Sequence, residues 1–237
     1  MAAKGENLMV QLKAWDWKMV KTSGVDDFWL EPTPEAYYLA ERWRAQGYQN
    51  FLDLGSGLGR HSIFFAKAGF NVSAIDLSEK GIEEGKKWAK ESGLKIDFKV
   101  GDMVDLPYRD ESFDCLLSFQ TIGHTDTNGI KKVAGEIHRI LKPNGEFYVT
   151  FPSKKSWGWG QNWTQVDENT KLREEEGPEW KIPHFYADYE TVFDVFKDFK
   201  IIDIEEKWRA TQERAGHWVD EHKMSPTGWH WQVLGKK

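Results

Sequence analysis

The sequence has 237 residues, 40% of them hydrophobic, and its 32 Lys and Arg against 38 Asp and Glu give a net charge of −6. That length supports a core without disulfides, and the single cysteine, Cys115, excludes an internal disulfide framework and a Cys-cluster zinc site. The acidic balance disfavours nucleic-acid binding, no apolar run approaches the roughly 20 residues of a membrane span, and the N-terminus lacks a signal-peptide core, so we expect a soluble, cytoplasmic protein.

Strands and helices alternate from residue 34 to residue 151. Pro34 suits a first helical turn, and the pattern predicts a helix over 34–46 that ends at Gly47. Strands of the sheet are expected where short apolar runs occur, and helices where the hydrophobic spacing is helical. The predicted strands are 51–54, 70–75, 95–100, 113–119 and 146–151, and the predicted helices are 60–67, 79–91 and 129–141, with a turn at 142–145. This alternation predicts βαβ units and a parallel sheet covered on both faces.

The C-terminal third begins with a segment of a different kind. Residues 152–187 show no clear periodicity and are rich in Gly, Pro, Trp and charge. A connection of that length is too long to be idle, so we interpret it as a lid or substrate-facing insertion. A helix over 189–196 and strands over 199–205 and 229–234 are predicted to follow.

A glycine-rich turn joins the first strand to the next helix. Gly55-x-Gly57-x-Gly59 lets backbone approach a ligand at a helix N-terminus, although such a turn alone is weak evidence. Arg60 stands where a nicotinamide-binding loop needs its third glycine, and the nucleotide-triphosphate loop G-x-x-x-x-G-K-[ST] does not occur. Asp76 and Asp102 end the second and third strands and therefore converge on the carboxyl edge of the sheet. These two carboxylates can accept hydrogen bonds from a ribose and a base, and the sequence contains no phosphate-binding loop motif. The combination suits an adenosine ligand that carries no phosphate.

Five motifs occur in order, and together they resemble the class I S-adenosylmethionine-dependent methyltransferases. They are Leu52-Asp53-Leu54-Gly55-Ser56-Gly57-Leu58-Gly59-Arg60-His61, then 72–78, 101–108, 113–118 and 136–146. The resemblance covers about 51–150 well and the flanks loosely, and Gly59-Arg60-His61 is most similar to small bacterial and archaeal members related to tellurite-resistance-type methyltransferases. It implies a Rossmann-like, doubly wound α/β fold with a seven-stranded, mainly parallel sheet, an antiparallel last strand and S-adenosylmethionine as the cofactor.

The resemblance also implies which residues hold that cofactor. The glycines would contact its methionine part, Asp76 its ribose hydroxyls, Leu77 and Asp102 its adenine, and the residues after the fourth strand would lie nearest the sulfonium. The full expected set is Asp53, Gly55, Ser56, Gly57, Gly59, Asp76, Leu77, Gly101, Asp102, Met103, Ser118, Phe119 and Gln120. One domain is expected over 1–237, with cap helices in 1–50, the cofactor-binding core in 51–150, and the lid and final strands in 151–237.

The acceptor site is expected in the flanks, because the 13 tryptophans are concentrated there. Four lie in 1–50 and eight in 151–237, whereas 51–150 contains only Trp88. Tryptophan faces attract cations, although each ring could equally be packing. The residues expected to shape the acceptor pocket are Trp29, Trp159, His184, Tyr186, His217 and Trp218.

Methyl transfer requires mainly alignment and exclusion of water, and a base only for a protonated acceptor. His124, four residues past Gln120, is the candidate catalytic residue, with a helix cap or core hydrogen bond as its structural alternative. No H-E-x-x-H or comparable spacing occurs, so no metal site is predicted. We expect a small-molecule acceptor (amine, thiol, hydroxyl or metalloid), with an RNA or protein methyltransferase or a non-catalytic cofactor-binding protein as alternatives. The sequence does not determine the oligomeric state.

Overall fold

The computed structural model describes residues 13–17, 29–209 and 228–237. The helices are α1 (Pro34–Ala45), α2 (Arg60–Lys67), α3 (Glu79–Glu91), α4 (Thr127–Ile140) and α5 (Tyr189–Val195). The strands are β1 (Asn50–Leu54), β2 (Asn71–Asp76), β3 (Ile96–Val100), β4 (Phe113–Ser118), β5 (Leu141–Pro152), β6 (Gln165–Asp167), β7 (Thr170–Leu172), β8 (Pro183–Phe185), β9 (Lys200–Arg209) and β10 (Gly228–Lys236). Three helices begin at a polar N-cap, since Ser78, Asp126 and Asp188 each accept a backbone N–H from the first turn.

Seven strands form one sheet in the order β3-β2-β1-β4-β5-β10-β9. The pairs among β1 to β5 are parallel, whereas β10 is antiparallel to both β5 and β9. The last strand of the chain is therefore the antiparallel one, which confirms the predicted fold class. The carboxyl ends of β1, β2, β3 and β4 meet at one edge of this sheet, and this edge positions the candidate site.

Two stretches differ from the predicted elements. The turn expected at 142–145 is an irregularity at the start of β5, where the pairing passes from Leu141 opposite Phe113 to Glu146 opposite Cys115. Asn144 has a positive φ of 69° in this irregular stretch, so the chain bends there while strand pairing continues on both sides of it. The segment 152–187 contains a 3-10 turn at Trp157–Gly160 and a second, three-stranded antiparallel sheet of β6, β7 and β8.

The core occupies both faces of the large sheet. Alternate residues of β1 point to opposite sides, so Leu52 packs with α4 and α5 while Phe51 packs with α1 and α2. On the α1 face, Phe51 stacks on Phe65 with 3.9 Å between ring centroids, and Trp43 lies fully buried beside them. Among the described residues, no helix has the combination of length and apolar character that a membrane span requires.

Candidate functional site

The glycine loop follows β1 and ends where α2 begins. Gly55 has a φ of +76°, and a Cβ there would lie 2.1 Å from the methyl carbon of Thr121. Gly57 has a φ of +54°, and its Cβ would lie 2.5 Å from a ring carbon of Trp17. Both positions therefore require glycine for conformation and for space.

Two carboxylates, the half-buried Asp76 and the buried Asp53, organise this loop. Asp76 accepts the backbone N–H of Gly57 and that of Ser78, each at 2.8 Å, and burial raises the pKa of its carboxyl group. Asp53 lies beneath the loop and accepts the hydroxyl of Ser62 at 2.6 Å. Burial raises the pKa of Asp53 to about 6, against the lowering effect of that hydrogen bond. The Asp76 carboxylate thus fixes the loop through one hydrogen bond to each of its oxygens. Each oxygen can still accept a further hydrogen bond from a ligand hydroxyl.

The turn after β3 lies beside the end of β2. The Gly101 N–H donates to the Asp76 carbonyl at 3.0 Å, and the Asp102 side chain accepts the Val104 N–H at 3.1 Å. Met103 packs partly buried against the core, while Leu77 is 37% exposed. The two turns thus bring the predicted adenine contacts to the same edge as the glycine loop.

The last residue of β4 and the two residues after it make hydrogen bonds and ring contacts within the protein. The Ser118 hydroxyl donates to the Leu54 carbonyl at 2.7 Å and so ties β4 to β1. Gln120 takes a φ of 54° and donates its N–H to the Thr150 hydroxyl at 2.7 Å, while Phe119 lies under the Arg60 guanidinium. Their predicted place nearest the sulfonium stays a prediction.

A cluster of His124, Glu179 and His184 lies next to this loop. The His124 N–H donates to the Thr121 carbonyl at 2.9 Å, and the Thr121 hydroxyl donates to the Gly55 carbonyl at 3.3 Å. The Nε2 atoms of His124 and His184 each lie 3.5 Å from a different carboxylate oxygen of Glu179. Although burial favours the neutral acid, the two imidazoles hold the pKa of Glu179 well below its usual range. Burial lowers the pKa of His184.

Aromatic rings connect the glycine loop to the lid segment. Neighbouring rings in this row lie 4.8–6.3 Å apart between centroids. In spatial order the row consists of Trp29, Trp17, Trp15, His124, His184, Tyr186 and Trp159. Two lysine ammonium groups, of Lys154 and Lys171, lie over the Trp159 ring at 5.4 and 5.2 Å. The row forms one wall beside the loop.

This wall contains five residues that the sequence singled out, namely Trp29, His124, Trp159, His184 and Tyr186. His217 and Trp218 lie outside the described residues. Trp15, Trp17 and Glu179 were not selected from the sequence. Glu179 stands five residues before His184, a spacing that belongs to no metal or catalytic motif, and Trp15 and Trp17 were visible only as part of the tryptophan excess.

The loop region fits the cofactor that the resemblance implies. The Ser56 hydroxyl and the Trp17 indole N–H are buried and have no hydrogen-bond partner among the described residues. Both lie at the glycine loop, Ser56 within it and Trp17 against Gly57 and Gly81. Buried polar groups are normally satisfied, so the Ser56 hydroxyl within the loop indicates a polar ligand there. The Trp17 N–H instead shows that this ring is not fully satisfied in the place it occupies. The Trp17 ring itself covers the surface of Gly57 on which the methionine part was expected to pack.

Comparisons with known proteins show what this chain is similar to. Residues 51–145 match the family model described as a methyltransferase domain. Over 111 residues, 46% of this chain and 44% of the relative, the sequence is 36% identical to a demethylmenaquinone methyltransferase of Renibacterium salmoninarum. Over 104 residues, 43% of this chain and 37% of the relative, it is 35% identical to a sarcosine/dimethylglycine N-methyltransferase of Aphanothece halophytica. The matched stretch thus spans less than half the length of these curated relatives.

Solved structures extend the similarity of fold to most of the chain. A SAM-dependent methyltransferase from Methanosarcina mazei superposes with a TM-score of 0.70 at 20% identity, covering 88% of this chain and 99% of that one. TehB from Haemophilus influenzae gives 0.64 at 14% identity, covering 87% of this chain and 62% of that one. The similarity of fold therefore extends beyond 51–145 into the described parts of the flanks.

Proposed function

Starting from the premise that this chain carries a class I S-adenosylmethionine-dependent methyltransferase domain, we propose that it transfers the cofactor's methyl group to a small-molecule acceptor. The observation that carries this proposal is the position of the His124–Glu179–His184 cluster. Two hydrogen bonds through Thr121 link His124 to Gly55, so chemically active side chains lie directly beside the cofactor loop.

The bound cofactor supplies a methyl group on a sulfonium sulfur, which an acceptor displaces in line. The chain's residues then have three tasks. Asp76 and the glycine loop fix the ribose and methionine parts, while the aromatic wall excludes water and attracts positive charge, each face contributing about 0.5–2 kcal/mol. His124 is the candidate contact with the acceptor atom, and its Nε2 lies 3.5 Å from a carboxylate oxygen of Glu179. A histidine side chain at this position has the chemistry to accept a proton from an acceptor.

The names of the relatives favour a small acceptor. The two curated relatives above are named for a quinone and for amino-acid amines, and others among the matches are named for sterols. A net charge of −6 gives less support to an RNA methyltransferase, because RNA binding depends on cationic surface. The cytoplasmic location and the lack of nucleic-acid binding stay predictions. A non-catalytic cofactor-binding protein is the remaining alternative, since binding and transfer use the same loop.

Calorimetric titration with S-adenosylhomocysteine tests the cofactor site. We expect binding to wild type, and weakening by more than about 1 kcal/mol, or about fivefold in Kd, in Asp76→Ala, which loses a charged acceptor for the ribose hydroxyls. Asp97→Ala is the matched control, because Asp97 lies on β3 with its side chain 55% exposed and paired with Lys99. Equal affinities in Asp76→Ala and wild type would contradict the placement of the ribose.

Turnover is measured separately, by release of S-adenosylhomocysteine with amine, thiol, hydroxyl and metalloid acceptors. Product release with one class identifies the acceptor chemistry. Cofactor binding without release from any class would favour the non-catalytic alternative. Retention of RNA on a filter at low salt would instead support the nucleic-acid alternative.

A further inference from the structure

The His124–Glu179–His184 cluster has the composition of a metal site. His124 lies in the loop after β4, Glu179 lies in the lid segment, and His184 lies in β8. One ligand atom from each of the three side chains can be chosen so that all lie within 4.8 Å of one another. Two imidazoles and one carboxylate are ligands that zinc and related divalent ions accept.

The spacing suits a shared cation better than direct hydrogen bonds. A charge-assisted N–H···O bond is about 2.7–2.9 Å long. Each imidazole nitrogen here lies 3.5 Å from its Glu179 oxygen. Ligand atoms about 2.0–2.1 Å from a tetrahedral zinc ion are separated by about 3.3–3.4 Å, which is close to the two nitrogen–oxygen distances. Those distances run to different oxygens of Glu179, and one ligand atom from each residue lies within 4.8 Å of the others, so the side chains must close in slightly on the ion.

The surrounding contacts orient the ligands. The His184 Nδ1 lies 3.0 Å from the Ile182 carbonyl, which only accepts, so Nδ1 carries the proton and donates. Its Nε2 is then free to present a lone pair toward Glu179, an arrangement common among zinc-bound histidines. Arg173 contacts the Glu179 carboxylate and fixes its position. The guanidinium charge also opposes a cation, so the affinity should be lower than for an otherwise similar site without it.

The cluster is only partly buried, and its exposed part belongs to His124 and Glu179. His184 is 6% exposed in its side chain, whereas His124 and Glu179 are 18% and 16% exposed. Three protein ligands leave at least one coordination position for another group, as in catalytic zinc sites. The rings of Trp15 and Tyr186 border the two histidines, so that position belongs to the same wall as the proposed acceptor site.

We propose that His124, Glu179 and His184 bind one divalent ion of the zinc type, whose open position receives the oxygen or sulfur atom that is methylated. Binding of the ion does not depend on the proposed function, whereas the role of the open position does. A zinc-type ion lowers the pKa of a bound hydroxyl or thiol, so the acceptor would release its proton to water when it binds. The resulting anion would form a bond to the methyl carbon as the carbon–sulfur bond of the sulfonium breaks, and neutral S-adenosylhomocysteine would leave. His124 would then act as a metal ligand that positions the acceptor, in place of a free base.

The test uses the full-length protein after removal of metal by a chelator. Titration with Zn²⁺ by calorimetry, and with Co²⁺ followed by its visible absorption, is expected to show one ion per chain. Glu179→Gln and His184→Gln should each weaken binding by at least about 100-fold, since loss of an outer partner alone costs about 10–100-fold. His138→Gln is the control, because that ring packs on Phe199 at 5.2 Å, outside the cluster. Thermal unfolding checks that each variant is folded.

Substoichiometric zinc in wild type, or equal zinc affinity in wild type and the folded Glu179→Gln variant, would overturn the proposal. S-adenosylhomocysteine titration of the same metal-free samples keeps the two proposals separate. Zinc binding without cofactor binding would leave the metal site standing and reject the methyltransferase function. If the cofactor binds and turnover continues after treatment with the chelator, and no zinc binds, the methyltransferase function would stand and the metal site would be rejected.

Discussion

Asp53 is a carboxylate buried in the centre of the sheet, and its exposed fraction is 1%. Its pKa in the folded protein is raised to about 6 from an ordinary value of 3.8, chiefly by burial. The folded state therefore binds more protons than the unfolded state between these two values. It follows that Asp53 lowers the stability progressively as the pH rises through this interval, and that the full cost is present above about pH 6.

Asp53→Asn should remove this cost while an oxygen remains to accept the Ser62 hydroxyl. At about 1.4 kcal/mol for each pKa unit, we expect the variant to be more stable than wild type by about 2–3 kcal/mol near neutral pH. Below about pH 3 the two proteins should be equally stable, because Asp53 is then protonated in both the folded and the unfolded state. Urea unfolding at both pH values measures this difference, and a variant destabilised at neutral pH would show that the ionised carboxylate is needed by the fold.

At the residue scale, the sequence predicted those side chains whose chemistry follows from local position. Gly55, Gly57 and Asp76 stand at the ends of strands, and that position places them at one edge whatever the loops do. Glu179 and Trp17 could not be predicted in this way. They reach the site from segments without periodicity, and their placement depends on packing against distant parts of the chain.

The segment 13–17 is an element without regular hydrogen bonding that lies across the glycine loop. Its Asp16 N–H donates to the Pro178 carbonyl at 3.1 Å, which fastens it to the lid segment. Trp17 lies against Gly57 and Gly81, and Trp15 lies 6.2 Å from His124 between ring centroids. The segment therefore covers both the cofactor loop and the candidate metal cluster. If the methionine part of the cofactor packs on Gly57, as the resemblance implies, the Trp17 ring must move away from Gly57 before the cofactor can bind.

Trp17→Ala should bind S-adenosylhomocysteine about 3- to 10-fold more tightly than wild type, because a site that must first be vacated binds in proportion to its open fraction. Fluorescence titration measures the affinity and also reports the ring, since wild-type emission should change on binding. Trp208→Phe is the control, as that ring is 45% exposed on β9 at the edge of the sheet. Weaker binding by Trp17→Ala would mean that the ring closes over the ligand and stabilises it.

Elements with a regular pattern were predicted well. The predicted bounds of α2 and α3 are those of the structure, because a helical hydrophobic spacing and a flanking glycine define each one. In contrast, β6, β7 and β8 have three residues each, too few for a period to be visible. Their pairing is determined by the fold of the lid segment and its contacts with the core, which the sequence pattern does not contain.

The described parts of both flanks pack against or extend the large sheet. β10, near the C-terminal end, lies between β5 and β9, and α1 contributes Leu39 and Trp43 to a cluster that also contains Leu234 of β10. Glu146 at β5 accepts two hydrogen bonds from Arg42, each 2.8 Å long, and one from the Trp43 indole at 3.0 Å. The single domain over 1–237 stays a prediction, and it implies one cooperative unfolding transition.

Glu146→Gln tests that coupling. Although burial alone would raise it, the Arg42 guanidinium holds the pKa of Glu146 below its ordinary value, so its contribution is present at neutral pH and is lost on acidification through the folded pKa. We expect a loss of about 2–3 kcal/mol at neutral pH, below the ~3–5 kcal/mol for fully buried pairs because Arg42 is 27% exposed. Urea unfolding should show a lower midpoint with an unchanged slope and still one transition.

Glu41→Gln provides the matched control on the same helix. Its pair with Arg44 has side-chain exposures of 76% and 56%, and removing it should cost less than about 0.5 kcal/mol. If Glu146→Gln instead divided the unfolding into two transitions, α1 and its contacts would melt apart from the sheet. The flank that carries Trp15 and Trp17 would then be a cap that unfolds separately from the cofactor core. In that case the strength of its contacts with the core, more than the stability of the core, would determine how easily a ligand enters the site.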